Sequence, residues 1–158
     1  MSDTTLDPMS GLQTLLDERD IHRGLARFAR IADAKRFDSL AEVFVDDVRF
    51  DYGSGQVEHG IGALRALLCR HLDRCGRTQH LIGSVFVDVD GDRAISHAYV
   101  QARHQRIDDF VGPVFDSNGE YNDHWEKRSE GWRIVHRNAM WAVNTGEPAI
   151  LAENGGLG

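Results

Sequence analysis

Eight histidines stand out in this chain: His22, His59, His71, His80, His97, His104, His124 and His136. Imidazole is the side chain whose charge changes near neutral pH, so a histidine held in a pocket is a natural proton carrier. Alternate residues of a strand share a face. On that rule His80 lies with Ile82, Ser84 and Phe86, and His104 lies with Ala98, Val100 and Ala102. His97 falls on the other face with Tyr99 and Gln101. The apolar company of His104 makes it the better pocket candidate, and Phe86 is expected on the same wall as His80. A carboxylate, Asp33, closes an apolar helical stripe directly after Ala32. It either caps an exposed helix end or points into the pocket and meets a histidine. In the second case the pair fixes the ring tautomer and stabilises the imidazolium formed by proton transfer.

The elements that would position these groups follow from hydrophobic periodicity. Ser10 is expected to cap a helix over 11–34, with Leu12, Leu15, Leu16, Ile21, Leu25, Phe28, Ala29 and Ala32 at threes and fours. Gly24 is a candidate bend within it. A short helix over 37–44 leads into a strand over 48–52. Gly53-Ser54-Gly55 is a turn, followed by a short strand over 56–59. A third helix over 61–74 carries Leu64, Leu67, Leu68 and Leu72 on its apolar side, with its arginines facing solvent. Four strands are expected over 78–89, 94–106, 120–128 and 132–143. Asp90-Gly91-Asp92 and Ser129-Glu130-Gly131 are their hairpin turns. Residues 107–119 read as a longer connection, 1–9 as a loose arm, and 144–158 as a tail that either covers a cavity mouth or hangs free. Helices followed by antiparallel strands give an α+β single domain over 1–158. A curved meander with helices on one face leaves a pocket between them, where small ligands usually sit.

Composition narrows the field. The chain has 158 residues, 18 basic against 25 acidic, and a net charge of −7. That balance disfavours non-specific binding to nucleic acid or anionic membranes. No stretch approaches 18 apolar residues, and the acidic start does not resemble a signal peptide. The expectation is a cytoplasmic protein with Cys69 and Cys75 as free thiols. Gly53-Ser54-Gly55 and Gly60-Ile61-Gly62 lack the third glycine of a dinucleotide fingerprint. Asp33, His80 and His104 would form a two-His, one-carboxylate set if they converged. The metal spacings H-x-H and H-E-x-x-H are nevertheless missing from the sequence, so no metal is expected.

Six segments carry a resemblance. They are Ala32-Asp33-Ala34-Lys35-Arg36-Phe37-Asp38, Arg49-Phe50-Asp51-Tyr52, Arg77-Thr78-Gln79-His80-Leu81-Ile82-Gly83, Arg103-His104-Gln105-Arg106, Asn122-Asp123-His124-Trp125 and Gly131-Trp132-Arg133-Ile134. In order and spacing the chain resembles the SnoaL-like branch of the NTF2-like superfamily, with its nearest likeness to scytalone dehydratase. The resemblance implies a cone-shaped α+β barrel, with helices packed on a curved antiparallel sheet. It implies an Asp33–His80 dyad, with His104, Tyr52 and Asn122 in the pocket. Ala32 departs from the pattern, since scytalone dehydratase carries a tyrosine there, and Glu120 stands where it carries a serine. These departures imply a different or larger substrate. The expected activity is cofactor-free elimination on a small hydrophobic cyclic substrate. His80 is the base, Tyr52 polarises the forming oxyanion, and Phe86 and Asn122 contact the substrate. Isomerisation begins with the same proton abstraction, and a non-catalytic ligand-binding module is the reading from another class. His124, His136, Tyr99 and Trp132 are expected on a face used for self-association, as a dimer or trimer.

Overall fold

The computed structural model describes residues 8–107, 109 and 111–151. Three helical segments, two before the first strand and one between the second and third strands, cover a six-stranded sheet. They are α1 (Pro8–Asp33), the 3-10 turn Phe37–Glu42 and α2 (Ile61–Leu72). The strands are β1 (Phe44–Asp51), β2 (Glu58–His59), β3 (Cys75–Asp90), β4 (Arg93–Arg106), β5 (Val114–Arg128) and β6 (Gly131–Gly146), and a 3-10 turn, Pro148–Ile150, follows. The sheet order is β2-β1-β6-β5-β4-β3. The sheet is curved and unclosed, consistent with an α+β cone. It is not purely antiparallel, because β1 runs parallel to β6. The long excursion through α2 and β3 to β5 supplies the crossover that a parallel pair requires.

α1 buries its stripe only from its middle onward. Ile21, Leu25, Phe28, Ile31 and Ala32 are sealed in the core, whereas Leu12 and Leu15 remain exposed. The helix starts two residues before Ser10, so Ser10 is not its cap; its carbonyl accepts from the Thr14 hydroxyl instead. Gly24 serves close packing: a Cβ there would lie 2.9 Å from the Trp125 ring. The helix ends by a Schellman-type closure. Arg36 N–H donates to Ile31 O, Lys35 N–H donates to Ala32 O, and Lys35 adopts φ +53°. Asp33 is therefore the last helical residue, at the negative end of the helix dipole.

Two-residue turns join β3 to β4 and β5 to β6. β3 carries a bulge between Gly83 and Phe86, with Ser84 at φ +48°. Such an insertion inverts the facing of everything after it. His80 and Ile82 face inward before the bulge, and Val85 and Val87 do so after it. Phe86 is thereby turned out and is 63% exposed, which corrects its expected place beside His80. β5 starts at Val114, so the connection after β4 is shorter than the sequence suggests. Beyond β6, Ile150 packs with Cys75 and Phe115, which fixes the start of the tail against the domain. The rest of the tail, 152–158, and residues 1–7 of the arm lie outside the described residues. Trp132 is also corrected: it is buried and its indole N–H donates to Asp17 of α1, away from the exposed sheet face.

Candidate active site

A cavity of about 540 Å³ opens between the inner face of the sheet and α2. Phe28, Leu67, Leu68, Ala102, Tyr121 and Trp141 supply much of its apolar wall, and Tyr52, His80, His104 and Ser117 place polar groups in it. Arg70 reaches its rim, so not all of the α2 arginines point to bulk solvent.

Asp33 stands behind His80. Its Oδ1 lies 2.7 Å from His80 Nδ1 and accepts from the Thr78 hydroxyl at 3.0 Å. Its Oδ2 accepts from the His80 backbone N–H at 3.1 Å. Burial alone pushes this carboxyl up. Its hydrogen bonds from the His80 ring and backbone and from Thr78 outweigh that and hold it below the usual carboxylate range. An ionised carboxylate accepts but does not donate, so the Nδ1 of neutral His80 carries the proton and Nε2 is left with a lone pair. The His80 side chain is 6% exposed and the Asp33 side chain 23%. Phe28 and His104 pack edge-on to the His80 ring, with centroids at 6.4 and 5.9 Å.

His104 donates from Nδ1 to the Phe115 carbonyl at 3.0 Å, since a carbonyl can only accept. Burial lowers its pKa, outweighing the help of that carbonyl, and the nearby His80 lowers it further. It rests neutral, with its own Nε2 lone pair available. Tyr52 receives a hydrogen bond at 3.4 Å from Arg137 Nη1, and its backbone carbonyl accepts from the Trp141 indole at 3.0 Å. Burial raises the Tyr52 phenol above its ordinary range, so it stays protonated despite the neighbouring guanidinium.

Asn122 does not join them. β5 points Ser117, Tyr121, Asp123 and Trp125 inward, so Asn122 lies on the outer face and hydrogen-bonds His97. The expectation that Asn122 contacts the cavity is corrected by the same alternation that placed His104 inside and His97 outside.

Beneath Tyr52 lies a fully buried ion pair. Arg137 Nε and Nη2 reach Asp123 Oδ1 and Oδ2 at 2.7 and 2.6 Å, and both side chains are 0% exposed. The guanidinium lies 4.1 Å from the Tyr121 ring centroid and 4.3 Å from that of Phe28. Desolvation opposes its charge, but Asp123 more than compensates, and the Arg137 pKa is raised.

The family model described as a SnoaL-like domain matches residues 13–138. The chain belongs to the SnoaL-like domain family. This SnoaL-like chain is similar to an uncharacterised protein of Mycobacterium tuberculosis, at 27% identity over 138 residues, covering 82% of this chain and 88% of that one. Among solved structures it is similar to the Kfla4162 protein of Kribbella flavida, with TM-score 0.77 and 27% identity, covering 87% and 97% of the two chains. A Novosphingobium aromaticivorans protein whose name proposes scytalone dehydratase activity has TM-score 0.76 and 22% identity, covering 84% and 88%. An NTF2-like superfamily protein of Salmonella enterica has TM-score 0.72 and 18% identity, covering 82% and 94%. These likenesses show the fold of the SnoaL-like chain.

Sequence reasoning missed Tyr121, Ser117, Trp141 and the Asp123–Arg137 pair. A signal for the first two was present. Trp125 facing the core places Asp123, Tyr121 and Ser117 on the same side, two residues at a time. The ion pair needed the β5–β6 register, in which Asp123 and Arg137 are directly opposite.

Proposed function

We propose that this SnoaL-like protein is a cofactor-independent lyase of the dehydratase type, acting on a small hydrophobic cyclic substrate. The observation that carries the reading is Asp33 at 2.7 Å from His80 Nδ1, on the wall of a largely apolar cavity. Asp33 defies the stability rule that disfavours an acid at a helix C-terminus, and its hydrogen bonds are spent on orienting a base. Two solved relatives in fold, from Novosphingobium aromaticivorans and Streptomyces avermitilis, carry names that propose dehydratase activity, which supports the same class.

In this mechanism His80 Nε2 takes a proton from the carbon next to an activating carbonyl. The C–H electrons move toward that carbonyl, whose developing oxyanion Tyr52 stabilises as a donor. Asp33 stabilises the resulting imidazolium. The enolate re-forms the carbonyl, a carbon–carbon double bond appears, and the β-hydroxyl leaves with the proton returned by His80, giving water. His104, neutral with a free Nε2, accepts a hydrogen bond from the substrate hydroxyl and holds it near His80. The proximity of the two rings also fits isomerisation, in which the proton returns to a different carbon and nothing departs.

The reading is tested by screening cyclic β-hydroxy ketones for loss of water, first with the unaltered protein and then with His80→Ala. The expected loss of turnover is roughly 10²–10⁴-fold, the usual worth of one acid–base group. Near-normal turnover by a folded His80→Ala protein rejects His80 as the base. The protein is further proposed to self-associate through the outer sheet face, where Leu81, Phe86, Ile95, Tyr99 and Met140 are exposed. Light scattering that finds a monomer at all concentrations rejects that part.

A further inference from the structure

The outer face of the sheet, away from the cavity, carries a second pair of imidazoles. His124 on β5 and His136 on β6 are directly opposite in the hairpin register, and their ring centroids lie 5.5 Å apart. Plain alternation along β6 would not bring them together. Ile134 and Arg137 both face the core, and Val135 and His136 both lie on the outer side between them. The extra residue forms a bulge opposite the His124–Trp125 step. Bulges re-aim side chains, and this one turns His136 outward beside His124 while sending Arg137 inward to Asp123. Neither ring has a hydrogen-bond partner among the described residues, so each keeps a nitrogen lone pair when neutral. His124 also borders a cleft of about 360 Å³ whose lining includes Asp88, Asp90 and Glu126, with Arg93 opposing them. Those carboxylates favour a cation there, in a chain of net charge −7. Arg49, paired with His136 on its other side, opposes one.

We infer that His124 and His136 form a two-histidine site for a divalent transition ion of the class imidazole prefers, Zn²⁺, Ni²⁺ or Cu²⁺. Geometry agrees with two nitrogens on one ion. A tetrahedral ion about 2.0–2.1 Å from each ring nitrogen holds the two ring centroids roughly 5 Å apart. The observed 5.5 Å needs only a small ring rotation to match. No three ligand-type side chains converge among the described residues, so water fills the remaining positions and the ion stays open to a ligand from solvent. The site lies across the sheet from Asp33 and His80 and takes no part in the proposed elimination. Spacing along the chain does not announce it, because only the bulged hairpin makes the two rings neighbours.

Calorimetric titration of the whole protein with Zn²⁺ alone tests this. The unaltered protein is expected to show a saturable site. His124→Gln and His136→Gln should each weaken it by at least the roughly tenfold that even an outer-shell partner of a metal is worth. His59→Gln and His97→Gln should leave it unchanged, because Arg49 and Asn122 stand opposite those rings. Asp88→Asn with Asp90→Asn should weaken it by a smaller factor that fades in high salt. Absence of a saturable site, full binding by either variant of the pair, or equal losses in all four histidine variants overturns the inference. Zn²⁺ should also raise the melting temperature of the unaltered protein and not that of His124→Gln or His136→Gln. A further arm needs no variant. Trace Ni²⁺, which is paramagnetic, should broaden the imidazole NMR signals of His124 and His136 more strongly than those of His80 and His104. Sparing of the outer pair overturns the inference.

Discussion

Asp33 and Asp123 each use both carboxylate oxygens on a single partner residue, yet they sit in opposite energetic settings. Asp123 holds the Arg137 guanidinium, and Asp33 holds the His80 ring and backbone N–H. Asp123 meets a permanent cation inside the core, with both partners at 0% exposure. Asp33 meets a titratable ring at the edge of a cavity and keeps part of its own surface open. The first arrangement commits its charge to the fold; the second leaves a proton free to move. A buried pair is weak evidence for net stability, because desolvating two ions offsets most of their attraction. What Asp123–Arg137 provides is a fixed floor under Tyr52 and Tyr121. What Asp33 provides is a fixed tautomer on His80.

The largest effect expected from breaking this contrast is on folding. Asp123→Ala leaves Arg137 buried and unpaired, and should cost about 3–5 kcal/mol in urea-unfolding free energy. Replacing both partners by apolar residues, Asp123→Leu with Arg137→Met, should recover much of that loss and still disturb the Tyr52 oxygen. Recovery of neither stability nor folding would show that the pair contributes more than the absence of an unpaired charge.

Asp33→Asn should behave in the opposite way. It keeps shape but its amide nitrogen cannot accept from the His80 backbone N–H, so unfolding should shift by about 1–2 kcal/mol, still less than for Asp123→Ala. Turnover in the dehydration assay should fall by roughly 10²-fold or more, because the amide cannot stabilise the imidazolium. A large stability loss with intact turnover would reverse the roles assigned to the two carboxylates.

Acid should act on His104 and Asp33 in separate windows. The unfolded chain protonates His104 near pH 6.5, whereas the folded chain, which buries that ring, does so only at lower pH. The unfolded state then binds more protons, so stability is full above about pH 6.5 and falls as pH drops toward the lowered native value. Asp33 acts in a lower window. Its contribution is complete above about pH 4 and is lost as pH falls through its depressed native value. Urea midpoints at pH 7.5 and 5.5 should differ in that direction, and His104→Gln should shrink the difference. The smallest effect belongs to Phe86→Ser on the outer face, expected within about 0.5 kcal/mol in unfolding, with its consequence confined to self-association.

Much of the site was legible because it depends on period-two and period-3.6 patterns. The apolar stripe of α1 delivered Asp33 to the core side, and strand parity separated His104 from His97. Those patterns are local, and they fail where geometry is not. Nothing in Gly83-Ser84-Val85 announces a bulge, since Ser84 takes a positive φ without being glycine, and Phe86 was placed on the wrong wall as a result. Asn122 was carried by a resemblance against the parity of its own strand, whose tryptophan at 125 needed the inner face. Asp123 and Arg137 are fourteen positions apart, and only the registered hairpin reveals that they face each other. The parallel β1–β6 contact is more distant still, and no pattern within either strand encodes it.

The bulge at Ser84 bears on how the gene for this chain tolerates change. Substitutions there alter one exposed side chain, but an in-frame loss of that single codon would restore plain alternation. Val85 would then follow Gly83 directly opposite Ala98, so Val85 and Val87 would keep the helix-covered side and Phe86 would stay outside. In a library containing both kinds of lesion, position 84 should accept many replacements and tolerate its own deletion, whereas deletion of Val85 should be tolerated less, since it would set Ser84 in the inward place that Val85 fills.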